Sequence, residues 1–197
     1  MNKKILLSLM SSAAMLTLVV GATYAFFSDT GTSSGNTFST GTLDLKLTDL
    51  DQSIQDIVTA SFGGSLVPGG CTGNQTLSLR NSGTVAANHA EVTVGNVVTD
   101  TNADATDDID EFLMIDTLQY DSGNVISQIP DTNGNLFIDL ADWAATPGAL
   151  DDLGLSDLNT DHPLVINVCL HSSAGNTLQG DSNIATFTVT LNQNASQ

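Results

Sequence analysis

Ala185-Thr186-Phe187-Thr188-Val189-Thr190-Leu191 decides the fold class of this chain. Apolar and hydroxyl side chains alternate with a period of two, so an extended backbone puts Phe187, Val189 and Leu191 on one face and the threonines on the other. Working outward, the same alternation recurs. Leu43, Leu45 and Leu47 are expected to face inward, with Thr42, Asp44 and Lys46 outward. Leu77 and Leu79 predict a second strand, ended by an Asn81-Ser82-Gly83 turn. Ala90, Val92 and Val94 predict a third, with Glu91 and Thr93 on the wet face; Leu164, Ile166, Val168 and Leu170 predict a core strand. Leu113–Tyr120 and Val125–Ile129 are expected to pair as a hairpin across Asp121-Ser122-Gly123-Asn124. Between Asp139 and Asn159 the period changes. Leu140-Ala141-Asp142-Trp143-Ala144 predicts one helical turn stopped by Pro147-Gly148, followed by a second short helix carrying Leu150, Leu153 and Leu158. About eight strands with frequent turns predict an all-β chain, an antiparallel β-sandwich of jelly-roll or Greek-key type with one or two short helical insertions.

The amino end has a different character. Lys3 and Lys4 precede an apolar run from Ile5 to Val20, and Thr23 and Ala25 suit the −3 and −1 positions of a signal peptidase site. The expected organisation is a signal peptide over residues 1–25, an amino-terminal donor segment over 26–41 and the sandwich domain over 42–197. Left uncleaved, the stretch Ile5–Phe27 is long enough to span a bilayer and would tether the chain to a surface. The small residues before Phe26 favour cleavage, so membrane contact is expected only before processing. The processed chain then begins Phe26-Phe27-Ser28-Asp29, and two exposed aromatics are costly unless something buries them.

Charge narrows the partners. The 197 residues hold four Lys or Arg against 22 Asp or Glu, a net charge of −18. Loss of Lys3 and Lys4 with the leader would leave Lys46 and Arg80 against the same 22 carboxylates. Such a surface repels nucleic acid and anionic lipid, and it repels copies of itself at low salt. With 41% apolar residues and a mean hydropathy of +0.09, the chain is globular rather than disordered. Cys71 and Cys169 form an even pair that reads, in an exported protein, first as a disulfide; two buried free thiols are the rival reading.

The sharpest local pattern is Asp131-Thr132-Asn133-Gly134-Asn135-Leu136-Phe137-Ile138-Asp139-Leu140-Ala141-Asp142. As a calcium loop it offers side-chain oxygens at positions 1, 3, 5, 9 and 12, from Asp131, Asn133, Asn135, Asp139 and Asp142, and the Phe137 carbonyl at position 7. Two departures count against it: Leu136 stands at position 6 in place of Gly, and position 12 is Asp instead of Glu. The plainer reading, which we favour, is an Asn133-Gly134 turn, a strand over Leu136–Ile138 and a helix capped by Asp139. The acidic run Asp100–Glu111 reads as a solvated loop before it reads as a cation site. Catalysis is not expected. No His-Glu-x-x-His occurs, and His89, His162 and His171 are isolated in sequence. Asn74-Gln75-Thr76 and Asn194-Ala195-Ser196 are glycosylation sequons, relevant only in a host that glycosylates exported proteins.

Several phrases, in order, resemble the TasA/camelysin-type extracellular fibre proteins. They are Ala25-Phe26-Phe27-Ser28-Asp29, then Asn36-Thr37-Phe38-Ser39-Thr40-Gly41-Thr42-Leu43-Asp44-Leu45, then Leu66-Val67-Pro68-Gly69 leading to Leu77–Thr84, and finally Asn176–Gly180 running into Ala185–Leu191. Residues 100–162 match poorly. The resemblance implies a secreted, extracellular fibre, pilus or biofilm-matrix subunit that assembles head-to-tail by donor-strand complementation. On this reading the arm pairs with an open sheet edge of a neighbouring copy, and Phe26, Phe27 and Phe38 fill its pockets. The expected partners are copies of itself and the signal peptidase. The alternative is a calcium-stabilised surface adhesion module, monomeric or tethered. A secreted metallopeptidase comes third, since some relatives carry that label.

Overall fold

The computed structural model describes residues 2–8, 10–11, 41–48, 54–55, 64–101 and 108–195. The chain divides into two compact units, Met1–Ser39 and Thr40–Gln197. In the first, residues 3–8 are helical and exposed. Among the described residues no helix is long and apolar enough to cross a membrane. The expected cleavage site at Ala25 and residues 26–40 of the arm, Phe26, Phe27 and Phe38 among them, lie outside the described residues.

The second unit is an antiparallel sandwich. Its strands are β1 (Leu45–Thr48), β2 (Ile54–Gln55), β3 (Gln75–Asn81), β4 (His89–Thr99), β5 (Leu113–Tyr120), β6 (Gly123–Asn124), β7 (Leu153–Gly154), β8 (His162–Leu170) and β9 (Ser182–Asn192), with helix α1 over Leu140–Ala145. The larger sheet runs β2-β1-β3-β8-β5-β6 and the smaller β7-β4-β9. The chain changes sheet between β3 and β4, β4 and β5, β6 and β7, β7 and β8, and β8 and β9, the weave of a jelly roll. Leu77, Leu79, Leu118, Leu164 and Ile166 fill the core from the larger sheet, and Ala90, Val92 and Val94 meet them from the smaller one. The period-two reading of these strands therefore gave the buried face correctly.

Cys71 and Cys169 are disulfide-bonded, with Cα atoms 3.9 Å apart across a sequence separation of 98. Around the bridge, Gly69 N–H donates to the Leu170 carbonyl at 2.7 Å and Thr72 N–H to that of Val168 at 2.9 Å. The segment before β3 is thus fastened to the end of β8.

Three expectations need correction. Val125–Ile129 is not a strand: β6 ends at Asn124 and a 3-10 turn follows over Ile126–Gln128. Asp121 and Ser122 take left-handed φ values of 47° and 68°, which makes a turn so tight that β6 starts at Gly123, and β5 finds its long partner in β8. The second short helix is replaced by β7, with Leu150 and Leu153 buried and Leu158 exposed. Leu136–Ile138 forms no strand, because Leu136 turns to φ 76° and stands 92% exposed.

Candidate functional site: an uncovered sheet edge and a carboxylate loop

The smaller sheet treats its two long sides differently. On the outer side of β4, β7 pairs with His89 and Ala90. Beyond it, Val92 N–H donates to the Leu150 carbonyl at 2.8 Å, and the Val92 carbonyl accepts from the Trp143 indole at 3.3 Å. Asn96 Nδ2 donates to the Leu140 carbonyl at 2.9 Å. The β4 edge is closed by a helix and its loop, and Trp143 is wholly buried beneath them.

On the other side, no described strand pairs with the outer edge of β9, which ends the sheet over its full 11 residues. Its inward residues Ala185, Phe187, Val189 and Leu191 reach the core but stay half-buried, whereas Val94, Val92 and Ala90, the β4 partners of the last three, are buried. The Phe187 ring lies 5.4 Å from that of Trp143. Among the described residues the remaining sheet edges, β2, β6 and β7, are two-residue strands. Short edges are one of the ways a sandwich avoids unwanted pairing; β9 does not use it. The outward face of the sheet carries Thr93, Thr186, Thr188 and Thr190, and one exposed apolar cross-strand pair, Val97 with Ile184, 61% and 65% exposed.

The start of β1 is held firmly. Asn81 is fully buried; its Oδ1 accepts from Gly83 N–H at 3.0 Å and Asp44 N–H at 3.4 Å, while its Nδ2 donates to the Val85 carbonyl at 2.9 Å. Ser82 N–H donates to the Asp44 carbonyl and Thr84 N–H to that of Thr42. Gly83 is needed here, since a Cβ would sit 2.1 Å from the Thr42 carbonyl oxygen.

The Asp131–Asp142 loop is built on its own side chains. Asp131 accepts from the N–H of Gly134 at 2.7 Å and of Leu136 at 3.0 Å. Asn133 and Asn135 each accept the N–H two residues on and turn their amide groups to Asp139 Oδ2, at 3.0 and 2.7 Å. Asp139 Oδ1 accepts from Asp142 N–H at 2.8 Å, and Asp142 Oδ2 accepts from Asp139 N–H, a reciprocal cap at the start of α1. The capping expectation for Asp139 is met. Asp142 Oδ1 also accepts from Thr132 N–H and Oγ1, both at 2.7 Å. Burial, opposed by these hydrogen bonds, pushes the Asp139 carboxyl above the usual range. The carboxylates face their own N–H donors, and among the described residues no three His, Cys, Asp or Glu converge as a metal set.

The acidic run is described at its two ends. Asp110, beside Asp108, accepts from Asn96 Nδ2 at 3.2 Å, and burial raises its carboxyl. The histidines stand apart. His89 contacts Asn88 and Asn192 in the smaller sheet. His162, at the start of β8, lies 2.6 Å from Asp121, and His171, beyond the end of β8, stacks on Phe137. These residues do not fit a zinc centre. The uncovered edge and the buried Asn81 had only weak sequence signals: strand periodicity says nothing about which strand ends a sheet.

An all-β sandwich with one long edge that no described strand covers defines the class. The chain matches the family described as camelysin metallo-endopeptidase over residues 1–197, its whole length, and so belongs to the camelysin/TasA-type family. No curated protein matches it. Members of the family are extracellular or surface-associated.

Proposed function

We propose that this chain is a structural subunit of an extracellular fibre or matrix, assembled head-to-tail by an amino-terminal arm released when signal peptidase removes residues 1–25. The observation that carries the reading is a sandwich whose smaller sheet stops at three strands while the inward side chains of its last strand stay half-buried. An added strand would cover them and supply a ladder of backbone hydrogen bonds. A contact between an arm on one side and an edge on another is heterologous, so it propagates instead of closing. Each Phe buried contributes about 2–3 kcal/mol, which helps offset an ordering cost of about 1–2 kcal/mol per residue of arm. Deleting residues 26–38 from the processed chain should leave a folded monomer that forms no fibres in electron micrographs. Fibres from that chain would end the proposal. Against so acidic a surface, fibre yield should also rise with salt.

A second reading concerns calcium, and it is compatible with the first. The backbone of Asp131–Asp142 makes the sharp turn that a glycine usually makes at position 6, here with Leu136 at φ 76°, and it starts a helix at position 10, capped by Asp139 at position 9. Asp131, Asn133, Asn135, Asp139 and Asp142 would hold the ion if their oxygens turned from N–H donors toward it. Isothermal titration with calcium tests this; absence of heat at millimolar calcium would reject it.

A further inference from the structure

The imidazole of His162, the first residue of β8, is 8% exposed, and its two nitrogens meet two carboxylates in unequal ways. Nδ1 lies 2.6 Å from Asp121 Oδ2, so this nitrogen carries a proton and donates it. Nε2 is buried with no hydrogen-bond partner among the described residues, and it faces Asp157 Oδ1 at 3.8 Å. In the neutral ring Nε2 is an acceptor, and a carboxylate has no proton to offer it. A buried acceptor set against an acceptor is costly, whereas one proton on Nε2 turns the pair into a charge-assisted hydrogen bond. Such a bond is about 2.8 Å long, so the exposed Asp157 side chain has about 1 Å to travel. We infer that His162 is an acid-set latch: once doubly protonated it bridges Asp121 and Asp157 and draws the loop ahead of β8 onto the β5–β6 turn. The latch lies apart from the open edge of β9 and does not depend on the fibre reading.

The surroundings suit a cation on the ring. Tyr120, at the end of β5, stacks on the imidazole with ring centroids 5.9 Å apart, and its hydroxyl donates to the Gly154 carbonyl at 2.9 Å. Burial raises the Tyr120 phenol, and the charges of Asp121 and Asp157 raise it further, so both carboxylates are felt at this spot. From β3, the residue paired with His162 is the apolar Leu79. The next residue, Arg80, is held by both oxygens of Asp161, at 2.7 and 2.9 Å, and Lys46 of β1, opposite Arg80, contacts Asp44 at 2.9 Å. The loop between β7 and β8 is fixed at Gly154 by Tyr120, at Asp161 by Arg80, and at Asn159, whose N–H donates to the Asn81 carbonyl at 2.9 Å. Asp157 lies between these points. Closing the latch therefore tightens the loop against the Asn81 turn that fastens the head of β1.

The experiment is thermal unfolding of the full chain in dilute solution at pH 8 and pH 5.5, with Asp157→Asn and His162→Gln as variants. A proton held more firmly by the folded chain adds stability that is present in acid and lost as pH rises. The buried carboxyls of Asp110 and Asp139 act in the same sense, so each variant is read against the unsubstituted chain at the same pH. An amide at position 157 donates to the neutral ring but holds the charged ring less well than a carboxylate does. Asp157→Asn should therefore raise the melting temperature at pH 8 and lower it at pH 5.5, by about 2–4 °C each way. Added to His162→Gln, it should change neither. Amides of residues 156–160 in the unsubstituted chain should be about tenfold better protected at pH 5.5 than at pH 8, after correction for intrinsic exchange. An effect of Asp157→Asn that is equal at the two pH values, or that survives the loss of His162, would overturn the latch. Stabilisation by micromolar zinc at pH 8 that requires His162 would make Nε2 a metal ligand, and would overturn it too.

Discussion

The two long sides of the smaller sheet are built from similar strands and finished in opposite ways. β4 and β9 have 11 residues each and pair along their whole length. The outer side of β4 receives a helix, an indole and a short strand, whereas that of β9 meets no described strand. A sheet edge is costly to leave open because it templates pairing with other chains. Residues 139–154 close the one edge, and nothing comparable among the described residues lies along the other.

This contrast can be broken from either side, and the largest effect is expected on the closed edge. Trp143→Ala should cost about 3–5 kcal/mol in urea unfolding, because it empties a buried site and leaves the Val92 carbonyl without its donor. Losing the disulfide through Cys71→Ser and Cys169→Ser should cost about 2–5 kcal/mol by the same measurement. Asn81→Ala should cost about 1–3 kcal/mol, since buried backbone groups around Asp44, Gly83 and Val85 lose their partner.

On the calcium reading a smaller shift is expected, with a defined pH dependence. The folded Asp139 carboxyl holds its proton more tightly than an unfolded one, so its effect on stability turns more favourable as pH falls through the raised pKa and opposes folding above it. A cation in the loop would relieve that opposition at neutral pH. Millimolar calcium should then raise the melting temperature, by about 2–4 °C for each kcal/mol gained, and the gain should vanish as protons displace the ion on acidification. The smallest effect belongs to the open edge. Ile184→Asp should change monomer stability by no more than about 0.5 kcal/mol while impairing assembly, which separates the two sides of the sheet by function rather than by strength.

Much of the sandwich was legible because period-two alternation reports burial directly. Leu77 and Leu79, Ala90 to Val94, and Leu164 to Leu170 all turned their apolar faces inward as read. The failures came where backbone conformation overrode pattern. Val125 to Ile129 looks like a strand, but the two left-handed residues Asp121 and Ser122 spend the hairpin in a single tight turn. Leu150 and Leu153 look helical by spacing, yet both serve as packing beside β4. Within the candidate site, Asp139 was visible as a cap because Asp followed by a helical run is a local signal. The edge role of β9 was invisible, because it depends on which strands pair, a property of the whole sheet.

The fastening of Thr42 and Asp44 by the Asn81 turn has a mechanical consequence. Tension pulling on residues ahead of Thr42 enters at the head of β1, along the strand and across the four residue pairs it shares with β3, so the ladder is loaded in shear. From β3 the pull passes to β8, which the Cys71–Cys169 bond ties to the segment ahead of β3. A row of such molecules would carry traction through backbone ladders and one covalent rivet per link, and would stretch little before it parted.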